Sequence, residues 1–234
     1  MVNATMLVHN RPKLTQQALD SLGNHDGANV TIRLDKLSDK PTFDTVMPWK
    51  IYSPLPRGVL LGNEIGTGGA RNAVIKSSEE AFGRGDYLYL SDNDVFFYPR
   101  WLETLIDCYE AAWSSGCRVL GGVGHPYHQH GATLGICRFN VRYAVQEVMA
   151  QPLQSMLMRW EVWDKYGPFC KTEPGRVCQS EDIDLTNKIR ADGFKLGVVS
   201  PALVVNTGIT NSFGEKIVGW ELVQKECPPA VLCE

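Results

Sequence analysis

The chain has 234 residues, 44% of them hydrophobic and 21% charged, with a formal net charge of −3. That length suits one domain and can bury roughly 70% of the unfolded surface, which excludes a scaffold that depends on staples. The charge excludes a global basic field for nucleic acid, and no run of about 18 apolar residues marks a membrane span.

Thr5-Met6-Leu7-Val8 reads as a first buried strand, stopped by Asn10-Arg11-Pro12. Pro12 suits the first position of a helix whose apolar face is Leu14, Ala18, Leu19 and Leu22. Val30, Ile32 and Leu34 alternate through a second strand ending at Asp35. Ser38 to Pro48 reads as loop and Lys50-Ile51-Tyr52 as a short third strand. Glycines from Gly58 to Gly69 lead into a helix with a small-residue face of Ala70, Ala73, Val74, Ser77 and Ala81, ended by Gly83 to Gly85. Tyr87 to Val95 alternates as a strand and runs into Asp92-Asn93-Asp94. Pro99 opens an amphipathic helix through Leu102, Leu105, Ile106, Tyr109, Ala112 and Trp113.

The second half is less regular. Val119 to Val123, Ser155 to Met158 and Leu196 to Val199 read as strands, and Leu134 to Met149 is mixed. Trp160 to Tyr166 reads as one or two helical turns and Ser180 to Ala191 as a helix. His125 to Gly131 and Pro168 to Gln179 read as loops, and the tail after Thr207 is polar. Trp160 and Trp163 read as core rather than as sugar platforms. Strands alternating with helices predict an α/β fold with a mainly parallel sheet. In such sheets ligands bind beyond the carboxyl ends of the strands. Asn10, Asp35 and Asp92 to Asp94 all lie at such ends and should converge.

Two acids closing a buried strand need compensation, because unpaired buried charge is costly. Hard carboxylate oxygens suit Mg²⁺ or Mn²⁺; the plainer reading is a solvated turn or a cap for the following helix. Arg71 behind the glycines offers a bidentate donor to phosphate, or is a surface arginine on a packing helix. In Ser180-Glu181-Asp182-Ile183-Asp184, a capping serine, dipole-matching acids and an Asp184–Lys188 pair account for every residue. The functional alternative makes Asp182 a general base toward an attacking hydroxyl. His125, His128 and His130 lack a zinc-ligand spacing and read as an ordinary or acceptor-binding loop. Seven cysteines without a CxxC read as reduced thiols. With no basic region followed by an apolar run at the N-terminus, the expected location is cytoplasmic.

In order, Val8-His9-Asn10-Arg11-Pro12, Asp35, Gly68-Gly69-Ala70-Arg71-Asn72, Leu90-Ser91-Asp92-Asn93-Asp94-Val95, Met158 to Phe169 and Glu181-Asp182-Ile183-Asp184-Leu185 resemble the GT-A glycosyltransferases, most closely the family-2 type. The resemblance covers residues 5 to about 210. It implies a single domain over 1–234, with a nucleotide-sugar half to about 98, an acceptor half to about 210 and a tail. It implies a Rossmann-like sheet flanked by helices with a smaller mixed region. It implies transfer from a nucleotide sugar, a UDP-sugar by expectation, to a hydroxyl acceptor: glycan, lipid-linked sugar, protein or modified base. His9, Asn10, Arg11, Asp35, Arg71, Asp92 and Asn93 would meet the donor. Asp94 and Asp92 would hold Mn²⁺ or Mg²⁺, and Asp182 would be the base of an inverting displacement. Where the family often places a metal-binding histidine, Asn206 stands here, and its amide oxygen would be the third metal ligand. That departure keeps two other readings open, a catalytically silent sugar- or partner-binding relative and no protein ligand from this strand. A sugar-phosphate nucleotidyltransferase would need a phosphate loop where Asn10-Arg11-Pro12 stands.

Overall fold

The computed structural model describes residues 1–22, 27–36, 38–52, 57–62, 66–123, 131–138, 142–151, 153–170 and 181–208. The chain runs β1 (Val2–Val8), α1 (Pro12–Leu22), β2 (Ala28–Asp35), α2 (Lys40–Tyr52), β3 (Arg57–Gly62), α3 (Thr67–Phe82), β4 (Tyr87–Asp92), β5 (Val95–Phe97) and α4 (Trp101–Trp113). It continues as β6 (Cys117–Gly121), β7 (Thr133–Arg138), β8 (Arg142–Val148), β9 (Ser155–Arg159), α5 (Trp160–Tyr166), α6 (Glu181–Ala191), β10 (Lys195–Ser200) and β11 (Val204–Asn206).

One sheet carries nine strands in the order β3-β2-β1-β4-β9-β6-β10-β8-β7. The pairings β3–β2–β1–β4 and β6–β10 are parallel. Strand β9 is antiparallel to both β4 and β6, and β8 is antiparallel to β10 and β7. All but β8 and β9 therefore point the same way. The expected mostly parallel α/β sheet is present, and the second half completes the same sheet instead of forming a separate layer.

The alternation read in β4 sorts its side chains into two cores. Tyr89 joins a cluster with Trp101, Leu105 and the β1–β2 residues Met6 and Ile32. Leu88 and Leu90 join the other face with Ile75, Met158, Trp160 and Ile189. Both faces are covered, as expected of a strand inside a parallel sheet. Trp101 packs on Tyr89 at 4.7 Å and on Phe97 at 4.6 Å, which seats α4 over β5. Trp160 is buried as expected, and Trp163 meets Phe169 at 5.1 Å. Cys108, Cys117 and Cys137 are buried thiols.

Three local readings are corrected. Residues 40–52, expected as loop and then strand, form α2 despite Pro48 within it. Its first turn is held by Asp39, whose Oδ1 accepts the Thr42 N–H at 2.9 Å, and the third strand lies instead at Arg57–Gly62. In α1, Thr15 is buried with Ala18, Leu19 and Leu22, whereas Leu14 is only partly covered. In α3 the buried stripe is Gly68, Arg71, Val74, Ile75 and Ser78, rotated from the predicted face, and Ala81 is exposed. The rotation follows from burying Arg71, whose guanidinium has partners at the end of β4. The expected loop at His125 to His130, the Ser180 cap and the tail beyond Gly208 lie outside the described residues. Among the described residues, no helix is long and apolar enough to cross a membrane.

The centre of the sheet depends on one hydroxyl. Ser155 Oγ accepts the Tyr89 hydroxyl at 2.9 Å and the Gly122 N–H at 3.1 Å, all buried. Replacing Ser155 with Ala removes an acceptor shared by two buried donors, and a donor left unmatched carries a desolvation cost. Ser155→Ala should lower the unfolding free energy by about 1–3 kcal/mol in urea titrations; a loss below a few tenths would show that neither bond matters.

Candidate functional site

The parallel register levels three strand ends. Val8 of β1 lies opposite Leu34 of β2, and Leu7 opposite Asp92 of β4. The segments leaving these ends meet on one side of the sheet. His9 Nδ1 lies 3.2 Å from Asp35 Oδ2, both about two-fifths exposed. Asn10 Oδ1 accepts the Asp39 N–H at 2.9 Å, which ties the loop to the start of α2.

Asn10 and Arg11 both adopt left-handed backbone angles, with φ of 54° and 63°. For non-glycine residues that conformation costs on the order of 1–3 kcal/mol each and persists only when neighbours enforce it. Here they do. Asn93 Nδ2 donates to Asn10 O at 3.0 Å and to Thr15 Oγ1 at 2.7 Å. The Thr15 N–H donates to Arg11 O at 2.9 Å. The result aims Arg11 at the acids, where its guanidinium pairs with Asp94 Oδ2.

On the other side Arg71 pairs with Asp92 Oδ1 and donates to Ser91 O at 3.3 Å. Arg71 is nearly enclosed, with a 3% exposed side chain, while Asp92 remains 33% exposed. Each acid thus holds one arginine. The remaining Asp94 oxygen, Oδ1, is buried without a hydrogen-bond partner, on a side chain 9% exposed. Burial, and then the Asp92 charge, push the Asp94 carboxyl up to about 6, against the opposing pull of Arg11.

Strand β11 closes the site from the far end of the sequence. It pairs antiparallel with β5, setting Asn206 opposite Val95. The Thr207 N–H and hydroxyl both donate to Asp94 O, at 2.7 and 3.1 Å. Asn206 Oδ1 accepts the Gly208 N–H at 2.7 Å, and its buried Nδ2 has no partner. That bond fixes which way the amide points, and it engages the oxygen expected to ligate metal. A Cβ at Gly208 would strike the Asp94 carboxylate and lie 3.1 Å from the Arg11 guanidinium. Only glycine fits against that ion pair.

The structure thus gathers His9, Asn10, Arg11, Asp35, Arg71, Asp92, Asn93, Asp94 and Asn206. Asp182 stands in the first turn of α6, which packs on β10 and α5; its Oδ1 accepts the Ile183 N–H at 2.9 Å. Asp184 pairs with Lys188 at 2.7 Å, as its spacing predicts. The two halves are tied next to Arg71. Asn72 donates to Phe169 O at 2.9 Å and accepts the Phe169 N–H at 3.0 Å. A Cβ at Gly68 would strike Cys170 O. Sequence reasoning gave no role to Thr15, Asn72 or Gly208. Thr15 was in phase with Ala18, Leu19 and Leu22, a signal hidden by its polarity; Gly208 carried no local signal.

Among the described residues no three His, Cys, Asp or Glu side chains cluster as a metal cage. The residues nevertheless fit a hard cation. Asp94 Oδ1 is a buried acceptor lacking a donor, and Asp92 stands beside it. Mg²⁺-type ions are commonly held by one or two carboxylates, with phosphates and water completing the shell. A surface groove of about 410 Å³ lined by Asp86, Tyr87, Arg159, Trp160 and Glu161 opens at the opposite end of β4 and plays no part in this cluster.

No protein-family model matches the sequence, and no curated protein matches it. Among solved structures the chain is similar to a mannosyltransferase from Pyrobaculum calidifontis in complex with GDP-Man and Mn²⁺, with a TM-score of 0.62 at 15% identity. The similarity covers 90% of this chain, which spans 57% of that one. A protein from STIV aligns at a TM-score of 0.45 and 12% identity, over 87% of this chain and 82% of that one. The fold is a GT-A-like Rossmann fold.

Two expectations follow. Thr15→Val removes the hydroxyl that accepts from Asn93, leaving a buried donor. It should cost about 1–2 kcal/mol in urea unfolding while Thr15→Ser stays near wild type; equal losses would assign the effect to packing. Asp94 titrates in the folded state well above its ordinary value of 3.8. The folded protein therefore favours the protonated form. That stabilisation is complete below about pH 3.8 and is lost as pH rises through about 6. In chelator-treated buffer, the Tm of Asp94→Asn should gain on wild type between about pH 3.8 and 6; a constant gap contradicts the raised value.

Proposed function

We propose that this protein is a metal-dependent glycosyltransferase of the family-2-like type, moving a sugar from a nucleotide-sugar donor to a hydroxyl acceptor. The observation that carries the reading is the half-satisfied Asp94 carboxylate, set between Arg11 and the Asp92–Arg71 pair at the carboxyl ends of parallel strands. That is where open α/β sheets bind ligands, and the GT-A-like fold supports it.

In this reading His9, Asn10 and Asp35 meet the base and ribose. Arg71 and Arg11 offer guanidinium donors to the diphosphate, and Asp92 faces the ribose or the sugar. Asp94, with Asp92 beside it, holds Mn²⁺ or Mg²⁺. When bound, the cation neutralises charge gathering on the leaving diphosphate. Asn93 shapes the site by fixing the Asn10–Arg11 backbone, and Asn206 by fixing the turn at Gly208. Asp182 takes the proton from the acceptor hydroxyl. The acceptor oxygen then bonds to the anomeric carbon as its bond to the diphosphate oxygen breaks, which inverts that carbon. The donor is a UDP-sugar by sequence resemblance. The structural neighbour's GDP-Man makes a GDP-sugar the second choice.

A second reading, a catalytically silent relative, draws on the arginine pairing of both acids and on Asn206 at the position where the family often has histidine. Transfer and hydrolysis assays over UDP- and GDP-sugars with Mn²⁺ separate the two. Turnover should appear with one donor class. Asp182→Asn should reduce it by about 10²–10⁴-fold while donor binding persists. Asp94→Ala should weaken donor binding. Tight donor binding with no turnover across many acceptors supports the silent relative, and no binding of any donor ends the first reading and leaves the second only as a partner-binding protein.

A further inference from the structure

The Arg11–Asp94 pair does more than neutralise a buried acid. Asp94 presents two oxygens: Oδ2 is held by Arg11, and Oδ1 is buried and unpartnered. A divalent cation arriving at Oδ1 would sit within a carboxylate's width of the guanidinium, in a setting where the Asp94 side chain is 9% and Arg11 16% exposed. Repulsion between like charges at that range, poorly screened by solvent, is large. The backbone that carries Arg11 is held in place. Arg11 follows Asn10 in a left-handed backbone pair fixed by Asn93 and Thr15. Gly208 also packs against the ion pair. Arg71 on Asp92 adds a second positive charge, itself 3% exposed.

We propose that Arg11 acts as a resident counter-cation that holds the affinity of this site for a free divalent ion low, so that cation and diphosphate bind as one unit. This rests on the metal-binding reading of Asp94. A diphosphate brings the negative charge that offsets Arg11, Arg71 and the cation together. Either partner alone leaves the site unbalanced. The consequence is an ordered site: the protein does not load Mn²⁺ ahead of the nucleotide, and the ion departs with the released diphosphate.

The experiment measures Mn²⁺ binding by electron paramagnetic resonance, with and without UDP or GDP and corrected for the Mn²⁺–nucleotide complex in solution. Wild type, Arg11→Met, Arg11→Gln and Arg11→Lys are compared. Wild type should bind Mn²⁺ alone at least tenfold more weakly than with its nucleoside diphosphate. The two neutral variants should bind Mn²⁺ alone roughly tenfold or more tightly than wild type, and Arg11→Lys, which keeps the charge, should stay within a few-fold of it. Neutral variants that match wild type or bind more weakly, while the diphosphate still strengthens Mn²⁺ binding, overturn the role of Arg11 and leave the proposed function standing. Wild type binding Mn²⁺ equally well with and without diphosphate overturns the proposal even if no variant folds. No Mn²⁺ binding under any condition overturns both this proposal and the metal-binding reading.

Discussion

A carboxylate held out of water at the end of a central strand is the constraint around which this structure is arranged. Asp94 follows an enclosed stretch of the sheet, where Tyr89, Leu90 and Ser91 are all buried. A buried charge stripped of its partner is costly, typically about 3–5 kcal/mol, so the pairing with Arg11 governs its surroundings. Arg11 reaches Asp94 only because Asn10 and Arg11 adopt a backbone that ordinary residues avoid. That backbone stands because Asn93, between the two acids, donates to Asn10 and Thr15. Gly208 has no side chain because the pair occupies the space one would fill. Five residues from three parts of the chain follow from one desolvated oxygen pair.

The sheet topology makes this possible at short range. Parallel neighbours place successive strand ends on one edge, so β1, β2 and β4 deliver His9, Asp35 and Asp92 without long loops. β11 then returns to pair with β5 and brings residues 206–208 beside Asp94, more than a hundred positions from it in sequence. A second tie, between Asn72 and the Phe169 backbone, joins the helix that carries Arg71 to the segment leaving α5. The two halves of the chain therefore share one sheet and meet again beside the site.

Much of the scaffold was legible in the sequence. The strands at β1, β2, β4, β9 and β10 and the helices α1, α4, α5 and α6 follow from periodicity and punctuation alone. Helix α2 was not legible because Pro48 argues against a helix interior. The compensating signal, Asp39 capping Thr42, is local but short. The buried face of α3 was misread because burial was assigned by residue size, whereas Arg71 is drawn inward by Asp92 and the Ser91 carbonyl. The strand-end acids stood out because charge at the end of an apolar run is anomalous on its own. The partners that give them meaning did not. Which arginine meets which acid, and that position 208 must be glycine, depend on contacts between distant segments that no local pattern encodes.

Charge balance connects the site's architecture to its proposed chemistry. Asp92 and Asp94 are matched by Arg71 and Arg11, so these two ion pairs balance with all four groups ionised. A neutral, partly desolvated cluster resists the addition of a single strong charge of either sign, because solvent there screens little. It accommodates a divalent ion and a diphosphate far better when they enter together, since their charges largely cancel. In the proposed reaction, charge moving onto the leaving diphosphate would move toward two guanidinium groups already in place, one of them nearly enclosed and the other on a held backbone. Donors that need not reorganise during the reaction stabilise developing charge most effectively. On this view the arginines preorganise the site in the resting protein, and the acids hold those arginines where the diphosphate will need them.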